Sequence, residues 1–336
     1  MNEREAEFFL GDTTTIINYI SQYSSSPSYY TVNGSAFVST FEGAANAADW
    51  ATIRAAVDIY FLPDWTSVGC GGISNYDQYI DGAFSWNAWP EGPNNIAYGD
   101  DQCWVNNLGD KKFMMSVSPW FYTNIPNYGK NWLWRGDSLW HDRWQEAITY
   151  QPDFVEIVSW NDYGESHYIG PVRSSGYYDR SGLYTANMPH DPWRDLLPYY
   201  IQEYKTGTVN VDKDILTFWY RLSPAAAGDN GGTVCNAAYQ TTYAPADCVQ
   251  DAIFVAVVIK SLPAQVSVRI GYAGYVTWDA YKVGVNFFQR PLYSQTGTVT
   301  AKIMRDGALV AFSSGDDIVG EPVTGFTNYN AFVGGA

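Results

Sequence analysis

The chain predicts an α/β barrel segment followed by an all-β domain, and three observations carry that reading. Five apolar, strand-like runs recur through the first part: Ser35–Phe41, Val57–Leu62, Gly82–Trp86, Lys112–Ser118 and Phe154–Ser159. Each ends in polar, acidic and aromatic residues, namely FEG, PDW, WNAWP, PWFYTN and WNDYGE. Beyond Gly207 the helical period stops and β-rich runs follow one another across short turns. Strands alternating with helices argue a parallel sheet. Site-type residues at every strand's C-terminal end fit a (β/α)8 TIM barrel, because a doubly wound sheet gathers them at one switch point.

Along the first part, Asp12 or Thr13 can cap a short helix carrying Ile16, Ile17, Ile20 and Tyr23 on one face. A helix over Ala44–Ala56 buries Trp50 and Ile53. Another, capped by Asp137 or Ser138, turns Trp140, Trp144, Ala147 and Ile148 inward. Asp191-Pro192 starts a further helix, which Pro198 must kink or divide. Eight strands close a barrel. The five seen here therefore count as about strands four to eight, the first three being absent from the N-terminus. Such an open array is expected to expose strand edges at Ser35–Phe41 and Phe154–Ser159.

The β-rich part contains Asp214–Arg221, Ala252–Lys260, Gln265–Tyr272, Tyr281–Phe288 and Thr298–Met304. It reads as an antiparallel β-sandwich, with the continuous apolar run Val255–Ile259 as a central strand. The expected domains are 1–207 for the barrel part and 208–336 for the accessory sandwich. Thr324–Ala336 reads as a glycine-rich polar tail.

Of 336 residues, 14 are Trp, 27 Tyr and 16 Phe, a share that suits either an aromatic core or sugar-stacking surfaces. The formal charge of −16 repels phosphate backbones, so nucleic acid is excluded as a partner. Cys70 and Cys103, and Cys235 and Cys248, lie in two neighbourhoods without metal-type spacing. Pairing within each is the simplest disulfide pattern, and it implies an oxidising compartment. The sequon Asn33-Gly34-Ser35 agrees with that. Met1–Glu7 is charged and Phe8–Leu10 too short for a signal core or a membrane span, so neither a signal peptide nor membrane contact is expected in this chain.

The three histidines, His141, His167 and His190, form no HExxH pair, and there is no phosphate loop or serine-nucleophile elbow. What remains is paired carboxylates among aromatics. Glycosidic hydrolysis needs one carboxylic acid to protonate the leaving oxygen and a second carboxylate as base or nucleophile. Asp162 and Glu165, three residues apart past a strand end, can aim at one cleft. Equally, one of them can cap a following helix turn or bind a nearby arginine. Glu42 and Asp64 can contact sugar hydroxyls or be structural. Trp86, Trp89, Trp120 and Trp160 can form stacking platforms or core. Asn87, Asn161, Tyr163 and His167 complete the candidate substrate contacts, and no metal or organic cofactor is expected.

The run EIVSWNDYGESHYIGP, Glu156–Pro171, resembles the signature region of glycoside hydrolase family 71, the fungal α-1,3-glucanases or mutanases. SAFVSTFEG (Ser35–Gly43), IYFLPDWTS (Ile59–Ser67), DGAFSWNAWP (Asp81–Pro90) and MMSVSPWFYTN (Met114–Asn124) match it in order. The resemblance implies endo-hydrolysis of α-1,3-glucan with inversion, on a (β/α)8 barrel, by a secreted or cell-wall monomer. It puts the acidic pair on Asp162 and Glu165, with Glu165 as general acid and Asp162 on the base side. The family's first three strands, with a further functional aspartate, have no counterpart here. The competing expectation is therefore a glucan-binding protein without a complete acid set.

Overall fold

The computed structural model describes residues 12–228, 232–322 and 326–336. Met1–Leu10, on which the reading of the N-terminus rests, lies outside them. The described chain divides into two compact units, one of residues 12–88, 97–116 and 152–156, the other of 89–96, 117–151 and 157–336.

In the first unit the strand runs are shorter than their apolar stretches but keep their order. Ser35–Val38 pairs in parallel with Ile59–Phe61, and Gly82–Phe84 with Lys112–Val117, beside which Phe154–Ile157 lies. Parallel bridges from Asp64 to Phe41 and to Phe84 join the two groups. The edge expected to be bare at Ser35 is covered by the chain's own hairpin, because Thr31–Val32 pairs antiparallel with it. Phe154 also packs on Phe37 at 5.3 Å and on Tyr60 at 6.2 Å, so side chains of the first and fifth runs meet.

Beneath the sheet, Trp50 from the helix Asp49–Ala56 stacks on Phe61 at 3.6 Å, and Trp65 sits edge-on to the same ring. In the helix Thr13–Ser24, capped by Asp12, only Ile20 is buried, and Tyr23 is exposed. The helix Gly99–Leu108 gives no sequence signal, since it buries only Trp104, Leu108 and one aspartate, Asp101. Cys103 on this helix is bonded to Cys70.

In the second unit a hairpin of Tyr122–Ile125 and Lys130–Leu133 is extended by Val234–Cys235, which runs parallel to the latter. The Cys235–Cys248 disulfide closes that segment. Both disulfides therefore pair as the spacing suggests. The helix Leu139–Tyr150 buries Trp140 and Trp144. Pro198 divides the later helical run into Asp191–Asp195 and Leu197–Thr206, the break falling at Leu196.

Two antiparallel four-stranded sheets follow. In one, Ala252–Ile259 lies between Gly284–Pro291 and Ile215–Arg221, with Ala331–Gly335 at the edge. In the other, the order is Val276–Asp279, Gln265–Ile270, Gly297–Arg305 and Ala308–Ile318. Alternate residues such as Phe218, Val255, Val257, Val266, Val268 and Ile303 form one shared apolar core. All of Ala252–Ile259 is buried, which is why its apolar run is continuous rather than alternating. On its other side Trp219 meets Trp193 and donates its indole N–H to the Asp137 carbonyl at 2.7 Å.

The end read as a polar tail is the edge strand Ala331–Gly335. A Cβ on Gly334 would stand 2.6 Å from the Phe218 ring, so these glycines serve close packing rather than chain freedom. The strand expected at Tyr281–Phe288 begins and ends three residues later, at Gly284–Pro291.

Candidate active site

The candidate residues gather as one group in each unit. In the second, the loop after Phe154–Ile157 is zipped at its base. Ser159 N–H donates to His167 O at 3.0 Å, Ile169 N–H to Ser159 O at 2.9 Å and Gly170 N–H to Trp160 O at 2.7 Å. Its far side is tied to the hairpin, where Tyr122 N–H donates to Glu165 O at 3.1 Å and Ser166 Oγ to Tyr122 O at 2.7 Å. Tyr184 donates its hydroxyl to Gly164 O at 2.7 Å. A loop fixed this often holds its side chains in one arrangement.

Asp162 Oδ1 accepts the Glu165 N–H at 3.0 Å and the Tyr178 hydroxyl at 3.2 Å. So Asp162 does cap the turn, as one reading of the sequence allowed. Gly164 is what lets Tyr178 approach, because a Cβ there would collide with the tyrosine oxygen. Glu165 takes Lys130 Nζ on Oε1 at 3.1 Å and His167 Nε2 on Oε2 at 2.9 Å. The Asp162 N–H donates to Ser159 Oγ at 3.0 Å, and that hydroxyl lies 2.8 Å from His167 Nδ1. His167 thus faces Ser159 through Nδ1 and Glu165 through Nε2.

These surroundings drive the two carboxyls apart. Burial, followed by the Glu165 charge, raises Asp162 above the usual aspartate range. Burial also acts upward on Glu165, but His167 and Lys130 outweigh it and hold that carboxyl down at about 2. The pair is thus tuned in opposite directions, Asp162 toward holding a proton and Glu165 toward holding a charge. Ligand atoms of Asp162, Glu165 and His167 lie within 4.8 Å of one another, close enough to surround a cation. The Lys130 ammonium already stands against Glu165, so the chain supplies a positive charge of its own.

Of the other candidates in this unit, Trp160 (59% exposed) and Asn161 face solvent, with Arg194 over the indole at 5.6 Å. Trp89, Trp120, Tyr163 and His167 are buried. Trp120 gives its indole N–H to Tyr329 O at 2.9 Å, and Trp89 stacks behind His167 at 5.2 Å. In this structure all four side chains are packed inside the unit. Lys130 and Tyr178 carry no signal in the sequence, since nothing local ties them to the acids of the WNDYGE loop.

In the first unit, Glu42, Asp64, Trp86 and Asn87 cluster at strand ends. Glu42 accepts Ser67 N–H at 2.8 Å, and Trp86 N–H reaches Thr66 Oγ1 at 2.7 Å. The same Thr66 hydroxyl donates to Asp64 Oδ1 at 2.5 Å. Asp64 is fully buried, and among the described residues its Oδ2 has no hydrogen-bond partner. Burial, with the Glu42 charge adding to it and Thr66 opposing, pushes its carboxyl up to about 7.

An acid whose folded pKa is raised keeps its proton while the unfolded chain loses it, so stability falls as pH rises between the two values. For Asp64 that window runs from 3.8 to about 7, and the loss amounts to about 4 kcal/mol. Asp64→Asn is expected to remove this slope in urea unfolding measured across the window. An unchanged slope would show that Asp64 titrates normally.

Comparison with known proteins places this geometry in a family. The family model for glycosyl hydrolase family 71 matches residues 4–336. A mutanase of Penicillium rubens is 35% identical over 334 residues, 96% of this chain and 72% of its own length. A glucan endo-1,3-alpha-glucosidase of Schizosaccharomyces pombe is 33% identical over 347 residues, 96% of this chain and 76% of its own. The structure of a GH99 endo-alpha-mannosidase from Bacteroides thetaiotaomicron is 20% identical, covering 57% of this chain and 61% of that one at a TM-score of 0.40, too slight a likeness to carry an argument. With the family model spanning nearly every residue, the chain belongs to glycosyl hydrolase family 71 and is a glycoside hydrolase.

Proposed function

We propose that this glycoside hydrolase cleaves α-1,3-glucan, with Asp162 and Glu165 as its reacting carboxyls. The observation that carries the proposal is the opposite tuning of the pair, one carboxyl raised and the other lowered from its ordinary range. Asp162 then protonates the leaving oxygen and Glu165 serves as the carboxylate, while Lys130 and His167 keep Glu165 charged. The names of the relatives, a mutanase and an endo-1,3-alpha-glucosidase, support the substrate. Glu42, Trp86, Asn87, Trp160 and Asn161 are proposed as substrate contacts, with the buried Asp64 supporting its neighbours Glu42 and Trp86 from beneath. Trp89, Trp120, Tyr163 and His167 act from behind the site.

We read the five ordered strands as the later part of a (β/α)8 barrel, and the two antiparallel sheets as a sandwich within 208–336. The protein is proposed to act as a monomer at the cell wall or outside the cell; among the described residues no helix is long and apolar enough to cross a membrane. A relative named for the ascus wall, 30% identical over 220 residues, supports the location.

Inversion is the proposed stereochemistry. Inverting carboxyl pairs stand about 6.5–9.5 Å apart to admit water. Here the ligand atoms lie within 4.8 Å of one another, closer than that range. Proton NMR of the first product reads this directly: a β reducing end supports inversion and an α end supports retention. Incubation with a panel of glucans tests the substrate. Reducing ends are expected from α-1,3-glucan, and release from β-glucan alone would overturn the assignment.

A further inference from the structure

We infer that the disulfide-closed segment Cys235–Cys248 builds a second glucose subsite beside the carboxyl pair. The inference rests on the glucan reading above. Cys235 and Tyr243 exchange backbone hydrogen bonds at 2.9 and 3.2 Å, so residues 236–242 form a tip between them. From that tip Gln240 reaches two partners. Its Oε1 accepts the Trp134 indole N–H at 3.2 Å, and its Nε2 donates to Glu91 Oε1 at 2.5 Å. The Ala237 N–H also donates to Oε1 at 3.0 Å, so the amide orientation is set.

Trp134 is fixed on its other side as well. It stacks on Trp89 at 5.3 Å with 10° between planes, and Trp89 in turn stacks on His167 at 5.2 Å. The row of rings therefore runs from this array to the histidine that holds Glu165. Unlike Trp89, Trp134 remains partly open to solvent. Glu91 is exposed beside it, and Tyr239, next to Gln240, is 83% exposed.

A pre-oriented indole, a carboxylate and an amide, with an exposed aromatic next in sequence to the amide, are groups of the kind that bind a pyranose: rings for its C–H face, polar tips for its hydroxyls. The ligand class is a neutral α-1,3-linked gluco-oligosaccharide long enough to reach past the carboxyl pair.

Calorimetric titration with α-1,3-linked gluco-oligosaccharides of increasing length tests this on the full chain. Affinity should rise with length and then level off. Tyr239→Ala and Glu91→Gln should each weaken binding of the longer chains by about tenfold, the worth of one hydrogen bond to a charged group or one ring contact. Both residues are at the surface, and unchanged unfolding midpoints show that the fold is kept. If both variants retain the full length dependence, the array is only a brace and the inference falls. If the chain binds only β-linked oligosaccharides, and does so through Tyr239 and Glu91, the substrate reading falls while the subsite stands.

Discussion

Asp162→Asn and Glu165→Gln are each expected to lower kcat on α-1,3-glucan by about 10²–10⁴-fold, the usual contribution of a positioned acid or base. Both changes keep shape and remove the titrating group. In Asp162→Asn the new amide keeps an oxygen for the Glu165 N–H and the Tyr178 hydroxyl, so the turn should survive. The two variants should differ in how they are rescued. If Asp162 is the acid, a dinitrophenyl leaving group that needs no protonation restores the Asp162→Asn rate. Azide, which replaces a missing carboxylate, should restore only Glu165→Gln. The opposite pattern would return the acid role to Glu165.

His167→Ala is the second large effect. His167 is buried, reaches Glu165 through Nε2 and is held by Ser159, Trp89 and Phe121. Losing it leaves Glu165 to Lys130 alone and opens space behind the loop. A cost of about 2 kcal/mol in stability is expected for the lost charge-assisted bond. Misplacing the carboxylate by about 1 Å should cost about a hundredfold in kcat. The pH dependence carries a sign. Glu165 has a folded pKa of about 2 against 4.5 for the free group, so it stabilises the fold above 4.5 and loses that stability as pH falls toward 2. In His167→Ala the folded value rises, and the acid-side slope in urea unfolding should flatten. An unaltered slope would mean that the histidine does not set the ionisation of Glu165.

What is legible in the sequence follows the range over which each feature is encoded. Strand order, the split at Pro198 and the buried run at Val255–Ile259 are local patterns, and each is found in place. Gly99–Leu108 escapes a sequence reading because a helix with so few apolar positions has no period to read. Ala331–Gly335 escapes it because glycine signals a free tail, whereas here it admits Phe218.

The acidic pair is visible because it lies within one loop. Lys130, 35 residues from Glu165, and Tyr178, 16 residues from Asp162, are not. Aromatic content points toward sugar but does not separate the open indole of Trp160 from the buried one of Trp120, since burial depends on contacts distant in sequence such as Tyr329.

Asp162 and Glu165 are proposed to hydrolyse α-1,3-glucan together. Incubating the chain with insoluble α-1,3-glucan, and scoring bound protein and released reducing ends in the same tube, tests it most directly. The expected result is binding with release for the unaltered chain, and binding without release for Asp162→Asn and Glu165→Gln. Release by both variants at the unaltered rate, or binding without release by the unaltered chain, would contradict it.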